Sequence, residues 1–119
     1  MADTTYQGSC HCGAVRFHLT MAPPETGYAC NCSICGRAGW LLAFVPGAAF
    51  TLEHGAEALT DYQFGKKALH HTFCKVCGVR PFSRGADKEG KPTVAVNLRC
   101  LSGLDVAGLK VHTFDGAKL

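Results

Sequence analysis

Three thiols, those of Cys30, Cys32 and Cys35, lie within one six-residue stretch with the spacing C-x-C-x-x-C. The sulfurs of a C-x-x-C segment can turn to the same side and bind one ion, and Cys30 can join them as a third ligand. A zinc ion with three protein ligands keeps a fourth position open, which is typical of catalytic sites rather than structural ones. We therefore predict a catalytic metal site at this stretch.

Three cysteine segments of the chain end in Cys-Gly. They are CHCG at residues 10–13, CSICG at 32–36 and CKVCG at 74–78. Glycine adopts positive φ readily, so the backbone can curl around an ion and turn its N–H groups towards the sulfurs. Buried free thiols would not need the repeated glycine, and the pattern therefore favours metal binding.

The spacing leaves two groupings of the cysteines open. Cys32 and Cys35 can join Cys74 and Cys77, but 38 residues separate the two pairs, more than the roughly 15–20 of compact zinc ribbons. Alternatively, the pair at residues 10 and 12 joins the pair at 74 and 77 in a four-thiolate structural site. The second grouping leaves the central stretch as the open site.

Composition limits the class of protein. With 119 residues, 47% of them hydrophobic and 18% charged, the chain reads as one globular domain over residues 1–119. The start of the sequence has no signal-peptide pattern and no stretch is apolar enough to span a membrane, so we expect a cytoplasmic protein with reduced thiols. The net charge of +3 is too small to indicate nucleic-acid binding.

Several segments alternate apolar and polar residues with a period of two, which predicts strands rather than helices. They begin at Val15, Val94 and Leu109, and the apolar run Trp40–Val45 predicts a strand covered on both faces. Residues 85–92 are polar and turn-forming and predict a hairpin connection, and residues 102–108 predict a loop or one helical turn. The fold class predicted from these segments is mainly β.

The combined motifs resemble the glutathione-dependent formaldehyde-activating enzyme family, which shares a domain with centromere protein V. The resemblance covers nearly the whole chain and is carried by C-x-C-G, C-x-C-x-x-C, F-C-x-x-C-G and N-x-x-C-L. The matching residues are Cys10, Cys12, Gly13, Cys30, Cys32, Ser33, Cys35, Phe73, Cys74, Cys77, Gly78, Asn97, Cys100 and Leu101.

The resemblance implies a fold, two metal sites and an activity. The fold would be Mss4-like, with several small coiled antiparallel sheets around zinc sites. By the resemblance, one structural zinc is held by Cys10, Cys12, Cys74 and Cys77, and a second, catalytic zinc by Cys30, Cys32 and Cys35. The implied activity is that of a carbon–sulfur lyase acting on adducts of glutathione with formaldehyde.

Three functions follow as hypotheses. The first is a zinc enzyme that handles adducts of a small thiol such as glutathione, with the second zinc more labile and Arg37 binding a substrate carboxylate. The second is a non-catalytic, zinc-stabilised interaction module. The third is redox sensing by Cys32 and Cys35, which requires a metal-free central stretch. Among the remaining candidates, Cys100 is interpreted as a buried free thiol on a strand, and the pair His70-His71 can supply a proton shuttle.

Overall fold

The computed structural model describes residues 3–63, 69–87 and 89–115 of the chain, and in these the fold is mainly β, as the sequence predicts. The strands are β1 (Thr4–Ser9), β2 (Arg16–Met21), β3 (Thr26–Cys30), β4 (Leu42–Pro46), β5 (Phe50–His54), β6 (Leu59–Tyr62), β7 (His70–Cys74), β8 (Phe82–Ala86), β9 (Pro92–Asn97) and β10 (Lys110–Phe114). One α-helix, α1 (Ser33–Ala38), is accompanied by single 3₁₀ turns at Gly47–Ala49, Ala56–Ala58, Leu98–Cys100 and Val106–Gly108.

A three-stranded antiparallel sheet has the order β1-β2-β5. The alternation in β2 is confirmed, since Phe17 and Leu19 are fully buried while Arg16 and Thr20 are exposed. Gly8 on β1 lies opposite Phe17, and a Cβ at this glycine would lie 2.3 Å from the phenyl ring. The absence of a side chain at this position is therefore what lets the ring lie under β1.

A seven-stranded sheet has the order β10-β3-β4-β9-β8-β7-β6. Its pairs are antiparallel except that β10 runs parallel to β3, so the prediction of antiparallel sheets is wrong for this pair. The strand predicted at Leu109–Thr113 is present, but every residue of β10 is exposed. The reason is that β10 is an edge strand of the sheet. An alternating sequence gives such a strand one apolar face, but burial of that face requires another element to pack on it.

The apolar run before Pro46 forms β4, but only part of it is buried. Leu42 and Val45 are buried, whereas Phe44 is 58% exposed, so the prediction of a strand covered on both faces is wrong at Phe44. Two other predictions are confirmed. Residues 87–91 connect β8 to β9 as a hairpin, with Lys88 outside the described residues, and residues 106–108 form one 3₁₀ turn.

The two sheets pack against each other through three phenylalanine rings. The ring centroid of Phe17 lies 5.2 Å from that of Phe50 and 5.7 Å from that of Phe82, and the last two rings are 4.7 Å apart. Phe17 and Phe50 belong to the smaller sheet and Phe82 to the larger, so this cluster is the centre of the core. Aromatic pairs at these distances add about 0.5–1.5 kcal/mol each beyond the area that they bury.

Helix α1 follows the central cysteine stretch and was not predicted from the sequence, because six residues are too few for a helical period to show. It ends at Gly39, which has φ +66° and whose N–H donates to the Cys35 carbonyl at 3.0 Å.

Among the described residues, no helix is long and apolar enough to cross a membrane. The prediction of one domain over residues 1–119 stays a prediction, and residues 1, 2 and 116–119 lie outside the described residues.

Gly55 fixes the approach of β5 to the loop that contains the first cysteine pair. It has φ +97°, and a Cβ at this position would lie 2.1 Å from the Ala14 carbonyl oxygen. We expect Gly55→Ala to lower the free energy of unfolding by clearly more than the about 1–2 kcal/mol that positive φ alone costs a residue with a Cβ.

Gly90→Ala is the matched control, because Gly90 has φ +81° and nothing within 4 Å of the added Cβ. Urea unfolding of the two variants, followed by circular dichroism, measures the difference. Equal losses of stability would show that the contact between Gly55 and Ala14 does not constrain the fold.

Candidate metal centre

Four thiols from two separate loops meet in one cluster, which we call the four-thiol cluster. Cys10 and Cys12 lie in the loop between β1 and β2, and Cys74 and Cys77 lie at the end of β7 and in the turn that follows. All four sulfurs lie within 4.8 Å of one another. The structure therefore groups the pair at residues 10 and 12 with the pair at 74 and 77, which is the second grouping left open by the sequence. The four-thiol cluster joins the smaller sheet to the larger one.

The two loops of the four-thiol cluster have the same local design. In each loop, the backbone N–H of the first cysteine donates to the carbonyl oxygen of the residue five positions later. These hydrogen bonds run from Cys10 to Val15 at 3.1 Å and from Cys74 to Val79 at 2.9 Å. The glycine after the second cysteine has positive φ, +82° at Gly13 and +78° at Gly78. The prediction that glycine supplies these curled backbones is confirmed for both loops.

The sulfur separations of the four-thiol cluster fit a tetrahedral metal ion. The Cys10 and Cys12 sulfurs are 3.7 Å apart, and so are those of Cys12 and Cys74. Four sulfurs at the ~2.3 Å zinc–sulfur bond length form a tetrahedron with edges of about 3.8 Å. These distances are too long for a disulfide, and all eight cysteines are free.

Backbone N–H groups are directed at the sulfurs, as a cluster of thiolates requires. The N–H of Val15 donates to the Cys10 sulfur at 3.4 Å. The backbone N–H groups of Cys12 and Val79 lower the pKa of the Cys77 thiol to about 6. Because hydrogen bonds to a charged group favour its charged form, this loop is prepared to hold anionic sulfur, the form that binds a metal.

The thiols of Cys30, Cys32 and Cys35 form a second group, which we call the three-thiol cluster. Cys30 ends β3, Cys32 is the N-cap residue of α1, and Cys35 lies within the helix. Their sulfurs lie within 4.8 Å of one another, and each residue is partly exposed. No other His, Cys, Asp or Glu of the described residues joins this group. The three-thiol cluster therefore offers three ligands and is partly accessible from solvent.

Glycine has a different role in the three-thiol cluster from the one predicted. Gly36 follows Cys35 inside α1 and is not among the glycines with positive φ. The left-handed residue of this segment is Gly39, three positions later, where the helix ends. The prediction of a curled backbone directly after the third cysteine is therefore wrong, because the helix continues through that position.

The C-terminal strand holds the loop of the three-thiol cluster in place. Cys30 pairs with Phe114 in the parallel ladder, and the N–H of Asn31 donates to the Phe114 carbonyl at 3.3 Å. The Asn31 side chain donates to the Asp115 carboxylate at 2.9 Å. The position between the first two cysteines therefore anchors the loop rather than pointing a further ligand at the cluster.

The surroundings shift the pKa values of Cys32 and Cys35 in opposite directions. Burial acts to raise the pKa of Cys32, but the backbone N–H of Cys35 and the neighbouring thiols outweigh it, so this pKa is lowered. Burial raises the pKa of Cys35 to about 12. The N–H of Cys32 also donates to the Cys30 sulfur at 3.4 Å. This donor set, soft and partly prepared as thiolate, fits zinc.

Trp40 completes the surroundings of Cys35. The indole ring is only 4% exposed, and its Nε1 is buried without a partner of full hydrogen-bond geometry among the described residues. The acceptor that it approaches is the Cys35 thiol, whose pKa the indole lowers against the larger effect of burial. The indole ring also stacks on the imidazole ring of His71, with 6.2 Å between the ring centroids. Sequence reasoning treated Trp40 as core, and nothing in its type or spacing indicates this contact.

Arg37 does not lie on the cysteine face of α1. It follows Cys35 by two residues, about 200° around the helix, so it projects from roughly the opposite side. Its guanidinium donates to the Ser33 carbonyl at 2.8 Å. It lines an open pocket of about 550 Å³ whose walls are Ser33, Ile34, Arg37, Ala38, Tyr62 and Arg80.

Two residues of this pocket, Tyr62 and Arg80, were missed in the sequence. Arg80 follows the glycine of the CKVCG segment by two positions, which is a signal that could have been followed. Tyr62 carries no such signal, because its place depends on the pairing of β6 with β7.

Cys100 and the two adjacent histidines remain outside both clusters. Cys100 is partly buried and ends a 3₁₀ turn, which corrects the prediction of a buried thiol on a strand. Its burial is still enough to raise its pKa to about 11. His70 is exposed and its Nδ1 lies 2.6 Å from the Asp61 carboxylate. His71 is buried, and burial together with Arg80 lowers its pKa.

Comparisons with known proteins agree with one another. The profile of a family described as glutathione-dependent formaldehyde-activating enzyme matches residues 5–115. A Halomonas elongata protein, provisionally named as a glutathione-dependent formaldehyde-activating enzyme, is 41% identical over a match that covers 77% of this chain and 73% of that protein. A crystal structure of a Rhodobacter sphaeroides protein is 30% identical, with a TM-score of 0.75, and the match covers 89% of this chain and 99% of the other.

The two clusters differ in what they join, and this predicts different effects of mutation. Cys74→Ser or Cys10→Ser removes a ligand that ties the two sheets together, and structural zinc contributes apparent folding free energies of roughly 10 kcal/mol or more in zinc-finger peptides. We expect both variants to lose native structure by circular dichroism. Cys32→Ser, the matched substitution in a cluster built from one loop, is expected to remain folded. The reverse pattern would reverse the assignment of the structural site.

Trp40→Phe keeps an aromatic ring and removes the N–H that approaches Cys35. Since loss of such an outer hydrogen bond costs about 10–100-fold in metal affinity, we expect zinc to be lost from the three-thiol cluster at correspondingly lower chelator concentration. Tyr6→Phe is the control, because Tyr6 is a partly buried aromatic residue on the smaller sheet. Equal chelator curves for the two variants would mean that the indole N–H does not support the cluster.

Proposed function

Since this chain belongs to the family of glutathione-dependent formaldehyde-activating enzymes, we propose that it is a zinc-dependent carbon–sulfur lyase of the cytoplasm. Its substrates would be adducts of glutathione or another small thiol with an aldehyde such as formaldehyde. The observation that carries the proposal is the three-thiol cluster, in which the sulfurs of three partly exposed residues converge and no fourth His, Cys, Asp or Glu of the described residues joins them.

The proposal assigns different roles to the two clusters. Cys10, Cys12, Cys74 and Cys77 hold a structural ion, because they close a complete four-ligand site between two sheets. Cys30, Cys32 and Cys35 hold the second ion and are the catalytic residues. A zinc ion held by these three thiolates would supply an open position at which a small thiol could bind as its thiolate.

The reaction itself makes small demands on acid–base groups. In the synthetic direction the thiol sulfur forms a bond to the aldehyde carbon, the carbonyl π electrons move to oxygen, and that oxygen takes up the proton that the thiol releases. No oxidant or reductant is needed, and cleavage is the reverse. The chain's contribution is therefore to bind and orient the thiol, which agrees with a three-thiol cluster that no Asp, Glu or His of the described residues joins.

Arg37 is proposed to bind a carboxylate of the thiol substrate. It is exposed and lines the pocket, and it has no ion pair among the described residues. Since it lies across α1 from the cysteines, it would contact a part of the substrate remote from the reacting sulfur. This limits Arg37 to substrate binding.

A second candidate function, a zinc-stabilised interaction module, is favoured by one surface feature. Tyr28, Phe44 and Phe114 are 40–58% exposed on strands β3, β4 and β10. The Tyr28 ring lies 6.0 Å from Phe44 and 5.7 Å from His112, between centroids. Exposed aromatic groups of this kind are common in protein interfaces. This function needs only the four-thiol cluster to be filled.

The decisive experiment measures metal content and exchange together. Protein purified without chelator is expected to carry two zinc ions per chain. With ¹³C-labelled formaldehyde and glutathione, exchange spectroscopy by NMR should show faster interconversion of free and adduct formaldehyde than the spontaneous rate. Cys32→Ser is the control that keeps the fold. Two zinc ions without faster exchange would favour the interaction module.

Mild chelation should separate the two ions. The three-thiol cluster draws all its ligands from one loop, so we expect loss of one zinc per chain with the circular dichroism spectrum retained and three thiols newly reactive. The four-thiol cluster should lose its ion only on unfolding. Loss of both ions together with unfolding would contradict the assignment of a labile second site.

A further inference from the structure

Four ring side chains lie together on one face of the larger sheet, and we call them the aromatic platform. They are Tyr28 on β3, Phe44 on β4, and His112 and Phe114 on β10. The Tyr28 ring lies 6.0 Å from the Phe44 ring and 5.7 Å from the His112 ring, between centroids. Phe114 follows His112 by two residues and therefore points to the same face of the sheet. All four residues are exposed, so the platform is a surface open to a ligand.

The aromatic platform is continuous with the three-thiol cluster. Cys30 follows Tyr28 by two residues on β3, so its thiol leaves the same face of the sheet. Cys30 is also the register partner of Phe114 across the parallel pair of β3 and β10. A step of two residues along a strand is about 7 Å, and a step between strands is about 5 Å. A group attached to a sulfur at the cluster therefore reaches aromatic rings through a short tether.

The area of the aromatic platform suits a small molecule better than a protein. An aromatic side chain buries about 150–250 Å² at most, and Tyr28, Phe44 and Phe114 are 40%, 58% and 48% exposed. These three rings therefore offer on the order of 200–400 Å², against about 800 Å² per partner in a standard protein interface. Apolar patches of a few hundred Å² on a monomer are often functional.

We propose that the aromatic platform binds the aryl group of an aromatic aldehyde, so that the chain acts on adducts of a thiol with aryl aldehydes. The inference rests on the proposed function, because the sulfur of the adduct is placed at the three-thiol cluster. Formaldehyde has no apolar part and would leave the platform uncovered. Stacking of the aryl ring on Tyr28 would orient the carbonyl carbon towards the thiol sulfur.

Addition to an aryl aldehyde balances in the same way as addition to formaldehyde. The thiol sulfur forms a bond to the carbonyl carbon, the π electrons move to oxygen, and that oxygen takes up the proton that the thiol releases. The product carries its ring on the carbon attached to sulfur, which is a short tether. An open pocket of about 390 Å³ continues the platform beyond Tyr28 and His112, with Thr26 and Lys110 among its walls. A substituent on the ring would have room there.

The test measures binding of two thiols to zinc-loaded protein by calorimetry. Benzyl mercaptan carries a phenyl ring on the carbon attached to sulfur, as the aryl adduct does, whereas 2-mercaptoethanol has no ring. We expect Tyr28→Thr to weaken binding of benzyl mercaptan about 2- to 13-fold, the range for loss of one aromatic pair. Binding of 2-mercaptoethanol should be unchanged. Tyr28→Phe keeps the ring and should retain the affinity.

Leu69→Thr is the matched control, because Leu69 is an apolar residue with 50% exposure that precedes β7 and lies outside the platform. Equal losses in the two threonine variants, or an unchanged affinity of Tyr28→Thr for benzyl mercaptan, overturn the proposal. A second measurement on the unaltered protein does not depend on folding of a variant. NMR should show intermolecular NOEs from the ring protons of benzyl mercaptan to those of Tyr28 or Phe114, and NOEs to other residues alone also overturn the proposal.

Exchange rates test the substrate class directly. Tyr28→Thr should lower kcat/KM for exchange of benzaldehyde with glutathione and leave that for formaldehyde unchanged, whereas an equal loss for both aldehydes overturns the proposal. The surface would instead be an interface between copies of the chain if Tyr28→Thr abolished self-association without changing the affinity for benzyl mercaptan.

The platform and the proposed function fail in different ways. If Tyr28→Thr leaves binding of benzyl mercaptan intact while formaldehyde exchange is retained, the platform is wrong and the function stands. If NOEs place the benzyl ring on the platform but neither aldehyde exchanges faster than it does spontaneously, the ring-binding site is supported and the function is wrong.

Discussion

The meeting of four thiols from two loops is the contact on which the rest of the structure depends. The cluster ties the β1–β2 loop of the smaller sheet to the end of β7 in the larger one. The core between the sheets is small, with three phenylalanine rings at its centre. A short chain buries a limited fraction of its surface, so a strong local link between its two layers adds more to stability than in a larger domain.

The second cluster is assembled under different constraints, and under the proposed function the difference would let one fold contain a structural and an exchangeable metal site. Its three thiols come from a single segment that runs from the last residue of β3 into α1. The loop is held by β10 through Asn31, so its shape does not require an ion. Its partial exposure admits a ligand, whereas Cys10 and Cys74 of the first cluster are buried. The number of connected segments therefore distinguishes the two clusters more clearly than burial does, since Cys12 of the four-thiol cluster is exposed.

The sequence was sufficient to predict how the cysteines group and insufficient to predict the pocket, and the reason is physical. Thiols at short spacings can converge within one loop, and the glycines at positions 13 and 78 mark the backbone that makes this possible. Phe44 and β10 show the limit of local patterns, because their exposure depends on where a strand lies in the sheet. Arg80 and Tyr62 are brought together only by pairing among β6, β7, β8 and β9. Pairing between strands that are distant in sequence cannot be predicted from the hydrophobic periodicity of each strand.

Helix α1 separates the three-thiol cluster from the pocket, and under the proposed function the two faces of the helix would have different tasks. Its cysteine face provides sulfur ligands that would act alike on any small thiol. Its opposite face, with Arg37 and the neighbouring Arg80, provides charge and no reactive group. Contacts remote from the reacting atoms can still determine the rate, since they fix the orientation of the part that reacts. Under the proposed function, a relative that keeps the three cysteines but differs at Arg37 would therefore retain the reaction and accept different thiols.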